Sequence, residues 1–185
     1  AAAASCALTR ASNRKADPER IARSLSQATT RSPLRMQIEE RSDGLVLVNE
    51  CYNANPDSMA AALRTVGDIL TRRADSDPRT RGVAVLGDML ELGEQSAQRH
   101  RDVGGLAVGR GFDEILCIGQ YAEDLAAGAT SAGGRARVVT ADEAADAVEW
   151  SEHDVVLVKA SRGLELEQVS ERILADDVHE QGVQQ

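Results

Sequence analysis

Aromatic side chains are scarce in this 185-residue chain: Tyr52, Phe112, Tyr121 and Trp150 supply only 2% of it. A core must therefore rest on Val, Leu, Ile and Ala, a composition that suits helices packed on a parallel sheet. Lysine is confined to Lys15 and Lys159, and 21 Lys and Arg against 30 Asp and Glu leave a net charge of -9. That balance excludes a nucleic-acid partner, because phosphate backbones call for clustered cations. The cysteines, Cys6, Cys51 and Cys117, are odd in number and lack C-x-x-C spacing. Neither a disulfide framework nor a zinc site is expected, and a reducing cytoplasm is the simple setting. No apolar run approaches the ~18 residues of a membrane span, and Ala1 to Leu8 lacks the basic flank of a signal peptide. The phosphate-cradling loop G-x-x-x-x-G-K-[ST] is missing too, and Gly104-Gly105 and Gly109-Arg110-Gly111 do not replace it. Unaided, the chain is not expected to hydrolyse ATP.

What is present, from Pro33 onward, is an alternation of apolar β-rich runs with helical patterns, the signature of βαβ units. The runs are Leu45 to Val48, Val83 to Leu86, Ile115 to Ile118, Val138 to Val139 and Val155 to Val158, and their continuous apolar character predicts burial on both faces. Helices are predicted over Asp57 to Arg72, Ala97 to Val108, Tyr121 to Ala127, Ala141 to Trp150 and Leu164 to Leu174. The fold class is therefore α/β, a mostly parallel sheet with helices on both faces. Asn55-Pro56 reads as N-cap and first helical residue, Thr140 with Glu143 as a capping box, and Gly109 and Gly128 as helix stops. Residues 1–32 hold too few apolar side chains for a core of their own and read as the helical end of a preceding domain, with a short helix from Asp17 to about Ser26. Residues 33–185 form the main domain.

Three segments could carry chemistry. Asn49-Glu50-Cys51-Tyr52-Asn53-Ala54-Asn55-Pro56-Asp57-Ser58-Met59 places a carboxylate, a phenol and amides between a buried strand and a helix N-terminus, where open α/β sheets collect ligands. A turn that merely caps a helix is the plainer reading. Asp88 follows a strand in a Gly-Asp turn, either facing a ligand or capping a helix, and His100 is a proton carrier or a packing residue. Lys159, Ser161 and Arg162 join two cations and a hydroxyl ahead of a helix, a pattern suited to anions or to a solvated cap. Cys51 and Cys117 read as buried small hydrophobes.

Tyr52-Asn53-Ala54-Asn55-Pro56-Asp57-Ser58-Met59 resembles the signature of the MurF type of Mur ligase. Val85-Leu86-Gly87-Asp88-Met89-Leu90-Glu91-Leu92-Gly93 with His100, and Val158-Lys159-Ala160-Ser161-Arg162-Gly163, resemble that family's second and third blocks in the same order. The likeness covers about Pro33 to Val169. It implies a Rossmann-like C-terminal domain of a three-domain enzyme that uses ATP and magnesium, held mainly by the central domain. That enzyme joins D-alanyl-D-alanine to UDP-MurNAc-tripeptide through an acyl phosphate. By resemblance, Arg35 and Glu50 would meet the γ-phosphate and ribose of ATP, with Tyr52, Asn53 and Asn55 beside the nucleotide. Asp88, His100, Lys159, Ser161 and Arg162 would face the substrates, the last three orienting a free carboxylate. The family usually has Asp where this chain has Glu50, which moves the carboxylate outward by one methylene. A free-standing small-molecule binding module, or another Mur or folylpolyglutamate ligase, are the other readings.

Overall fold

The structure is a computed structural model and describes residues 36–175. The helix expected from Asp17 to Ser26, the boundary at residues 32–33 and Arg35 lie outside the described residues. Along the chain run β1 (Gln37–Glu40), β2 (Val46–Asn49), α1 (Pro56–Ser76), β3 (Arg81–Leu86), α2 (Ser96–Gly109), β4 (Glu114–Cys117), α3 (Ala122–Ser131), β5 (Arg135–Val138), α4 (Ala141–Ala144), β6 (Asp154–Lys159) and α5 (Glu167–Ala175). They build one six-stranded sheet in the order β1-β2-β6-β3-β4-β5, parallel throughout except for β1.

Alternate residues of the central strands face two cores. Val48, Ala84, Leu86, Ile115 and Leu157 pack under α1, α2 and α3 through Met59, Leu63, Val66, Val103 and Leu125. Leu45, Leu47, Val85, Leu116 and Val156 pack under residues 144–148 and α5 through Ala144, Val148, Val169 and Ile173. Both faces of β6 are thus covered, and all of its residues are buried. Each fully buried Leu, Val or Met contributes ~1.5–3 kcal/mol of transfer free energy.

The register aligns the strand ends: Asn49 lies opposite Val158, and Leu86 opposite both Lys159 and Cys117. Loops 50–55, 87–95, 118–121 and 160–166 therefore leave along one edge of the sheet. The chain departs from β2 toward the α1 face and from β6 toward the α5 face. Neighbouring strands that part in this way open a crevice between their ends.

Several local expectations change. Gln37–Glu40 is a strand that the apolar pattern does not announce: all of its residues are exposed, and it exists by antiparallel pairing with β2. The run at Val138 to Val139 is the end of β5, a largely exposed edge strand. The helix expected from Ala141 to Trp150 stops at Ala144, because the carbonyls of Ala145, Ala147 and Glu149 accept from Trp150, Arg137 and Arg81 rather than from a helical ladder. Leu164 to Leu174 resolves into a 3₁₀ turn, Arg162–Leu164, and α5. Gly128 does not stop its helix, since α3 continues to Ser131. A Cβ on Gly128 would stand 1.9 Å from the Arg101 carbonyl oxygen, and one on Gly104 would stand 2.0 Å from that of Leu125. Those glycines let α2 and α3 cross backbone to backbone. The caps hold as expected: Asn55 and Thr140 each form a full capping box.

Candidate functional site

The β2 and β6 loops meet at the crevice. Glu50 N–H donates to Val158 O at 2.9 Å, which continues the ladder one step past β2. From β6, Lys159 turns its side chain inward, fully buried, and donates from Nζ to the Asn53 carbonyl at 2.8 Å. Glu50 Oε1 stands 3.5 Å from the same Nζ. Its other oxygen, Oε2, is buried and has no hydrogen-bond partner in the structure. One turn on, the Arg162 guanidinium lies over the Tyr52 ring, 5.7 Å from its centroid. A cation over an aromatic face is attracted by the ring quadrupole, so the two loops brace each other twice.

Glu50, Tyr52, Asn53, Asn55 and Ser58 line a pocket of about 170 Å³ at the head of α1. Local bonds fix its amides: Asn53 Oδ1 accepts from Ala54 N–H at 2.9 Å and Asn55 Oδ1 from Ser58 N–H at 2.8 Å. With their oxygens so occupied, these side chains offer N–H donors, while Glu50 offers an acceptor. A larger groove of about 390 Å³, among Leu70, Thr80, Arg110 and Asp113, opens at the other edge of the sheet and contains none of the residues singled out by sequence. Chemistry rather than size favours the smaller pocket.

The β3 loop is organised differently. Asp88, 8% exposed in its side chain, accepts from the N–H groups of Gln120 at 2.8 Å and Tyr121 at 2.9 Å. It therefore caps α3 from outside that helix, the plainer of its two sequence readings, and both oxygens are engaged. Gly119 makes the approach possible, for at φ +108 a Cβ there would fall 2.5 Å from the Asp88 carboxylate. His100 is fully buried and stacks on Tyr121 at 4.6 Å. Its Nε2 accepts from Met89 N–H at 2.9 Å, and Nδ1 lies 2.6 Å from Ser96 O. His100 is thus enclosed among protein groups, as in the packing reading of the two that its sequence left open. Ser161 is 4% exposed and also turned inward, accepting at Oγ from Leu90 N–H at 3.2 Å. Of the expected anion cluster Lys159, Ser161 and Arg162, the first two hold loops together, and Arg162 faces outward. Sequence reading gave no role of their own to Gly119, Tyr121 and Ser58, although the glycine just past β4 is a recognisable turn signal.

Among the described residues no group of three or more His, Cys, Asp and Glu is placed to hold a metal ion. Burial pushes the thiols of Cys51 and Cys117 up to about 12. Both are inert small hydrophobes in the folded chain.

A doubly wound sheet with a polar crevice at the ends of β2 and β6 defines the class, and residues 34–162 match a known family. The chain belongs to the Mur ligase, glutamate ligase domain family. Among individual proteins it is similar to the UDP-N-acetylmuramoyl-tripeptide–D-alanyl-D-alanine ligase of Mycobacterium tuberculosis, 34% identical over 195 residues that cover 93% of this chain and 37% of the relative. A crystal structure of MurF from Acinetobacter baumannii superposes with TM-score 0.69 at 27% identity, covering 94% of this chain and 36% of that one. MurF ligase from Thermotoga maritima in complex with ADP gives TM-score 0.61 at 25% identity, covering 93% and 36%. The chain therefore spans little more than a third of the length of these relatives.

Proposed function

We propose that this chain is the C-terminal domain of an ATP-dependent ligase that joins D-alanyl-D-alanine to UDP-MurNAc-tripeptide in peptidoglycan precursor synthesis, and that it works as a lid over nucleotide held by a preceding domain. The observation that carries this reading is Glu50, which lines the pocket at the β2/β6 crevice and whose Oε2 is buried without a hydrogen-bond partner. A buried acceptor left unpaired costs ~1–3 kcal/mol, a deficit that a bound hydroxyl donor removes. The ribose of ATP supplies such donors. Asn53 and Asn55 offer amide N–H groups on the same wall, and Lys159 holds Glu50 in place through Oε1. Arg35 is assigned to the γ-phosphate by resemblance alone.

ATP first phosphorylates the tripeptide carboxylate, and the dipeptide amine then displaces phosphate from the acyl phosphate. This domain's part is to orient reactants and exclude water as it closes. Arg162, the outward cation of the β6 loop, binds the free carboxylate of the dipeptide. Asp88, His100, Lys159 and Ser161 shape the loops that carry these groups. The relatives named D-alanyl-D-alanine ligases support this reading over a free-standing binding module.

The test is a ligase assay on the enzyme with its preceding domains, following phosphate release with ATP and UDP-MurNAc-tripeptide. Release should require D-alanyl-D-alanine, and Glu50→Gln should raise the KM for ATP while Glu50→Asp keeps activity. Release that requires a different amine, or Glu50→Gln with unchanged ATP kinetics, would refute the reading.

A further inference from the structure

The β3–α2 loop turns Met89 inward and Leu90 outward, and two buried side chains set that turn. On one side stands His100, between the Met89 N–H at Nε2 and the Ser96 carbonyl at Nδ1. A main-chain N–H can only donate and a carbonyl can only accept, so both contacts are satisfied only by a neutral ring with its proton on Nδ1. On the other side, Ser161 Oγ accepts from Leu90 N–H, while Ser161 N–H donates to Asp88 O at 3.0 Å. Held from both sides, the turn puts Glu91 at φ 63, a conformation that residues other than glycine adopt only when their surroundings enforce it. Leu90 is left 50% exposed, a large apolar side chain facing outward between buried Met89 and exposed Glu91. Its Cδ1 lies 3.9 Å from where a Cβ on Gly163 would sit, next to Arg162.

We propose that His100 is a positioning residue: as a neutral ring protonated at Nδ1 it fixes the Met89–Glu91 turn, which sets Leu90 as an apolar wall beside Arg162 for a small aliphatic amine substrate bearing a carboxylate. The assignment of that substrate rests on the function proposed above. A hydrogen on Nε2 would point at the Met89 N–H, so neither the other neutral form nor the imidazolium fits the closed turn. The groups around the ring are the Asp88 carboxylate, 4.0 Å from Nε2 and already bonded to α3, and the stacked Tyr121. Ser161 acts with His100, so the β6 loop and the β3 loop are set as one unit.

Two measurements decide it. In the 185-residue chain, ¹⁵N NMR of the His100 ring should show a protonated Nδ1 and an unprotonated Nε2, and a proton on Nε2 would overturn the proposal. In the enzyme with its preceding domains, His100→Phe keeps an aromatic ring against Tyr121 but removes the acceptor. Its KM for D-alanyl-D-alanine should rise about tenfold, the factor for one lost buried hydrogen bond, with the KM for ATP changed less than about twofold. His100→Gln, whose amide oxygen can accept from Met89, should recover most of that loss. Equal effects on both substrates, or a lowered melting temperature with unchanged KM values, would overturn the positioning role. A wild-type enzyme that does not use D-alanyl-D-alanine would sink the functional reading instead, leaving the NMR result to decide the ring and its turn.

Discussion

Asp88→Ala separates a structural aspartate from a substrate-binding one. Both carboxylate oxygens accept N–H groups at the start of α3, at 2.8 and 2.9 Å. The negative charge also faces the positive end of that helix dipole. With the side chain 8% exposed, little water reaches the site to replace it. Leaving a buried donor unpaired costs ~1–3 kcal/mol, and hydrogen bonds to charged acceptors lie in the upper half of that range. For two donors, less a rebate for water entering the small cavity, the loss is about 3 kcal/mol, which for a domain of this size lowers Tm by roughly 10 °C. Asp88→Asn keeps the shape and one acceptor, and should lose about half as much. Thermal unfolding of the 185-residue chain, followed by circular dichroism, reads both. If Asp88→Ala melts within about 2 °C of wild type, the carboxylate does not hold α3, and a substrate role regains its place.

Other consequences follow from the same geometry. Gly128→Ala gains ~1 kcal/mol of helix propensity but drives a methyl into the Arg101 carbonyl, so urea unfolding should show a net loss of ~1–3 kcal/mol; a neutral or stabilised variant would contradict the close α2–α3 crossing. Arg162→Ala should raise the KM for D-alanyl-D-alanine at least about tenfold while leaving that for ATP nearly unchanged, as loss of a charge-assisted contact to one substrate requires. Steady-state kinetics with either substrate varied would show the split, and equal changes would refute it. Cys51 and Cys117, with thiols raised to about 12, should resist iodoacetamide at pH 8 until urea unfolds the chain. Rapid labelling of either peptide in the native protein, seen by mass spectrometry, would show that the core opens there.

Local chemistry was the legible part of this sequence. The apolar run Val155 to Val158 became a fully buried central strand, and Asn55 and Thr140 cap helices through side chains three residues from their partners. Long-range pairing was not legible. Gln37–Glu40 is a strand because β2 lies beside it, and no alternation of its own side chains says so. Gly128 carries the composition of a stop, but its lack of a side chain serves a helix crossing. The site was legible as a set of loops rather than as a set of roles. Tyr52 and Arg162 do meet, and Lys159 does reach Asn53, because β2 and β6 are neighbours. Yet a lysine, a serine, a histidine and an aspartate that read as ligand contacts turn out to be bonded inside the protein. Whether a polar side chain at a strand end points outward or in depends on the loop opposite, and that loop can lie many residues away, as Asp88 and Tyr121 do.

The most direct test of the lid is isothermal titration of ATP into the 185-residue chain alone and into the enzyme with its preceding domains. Micromolar binding to the complete enzyme with none to the chain alone is the predicted result. Micromolar binding to the chain alone would contradict it, because the crevice between β2 and β6 would then be a self-sufficient nucleotide site.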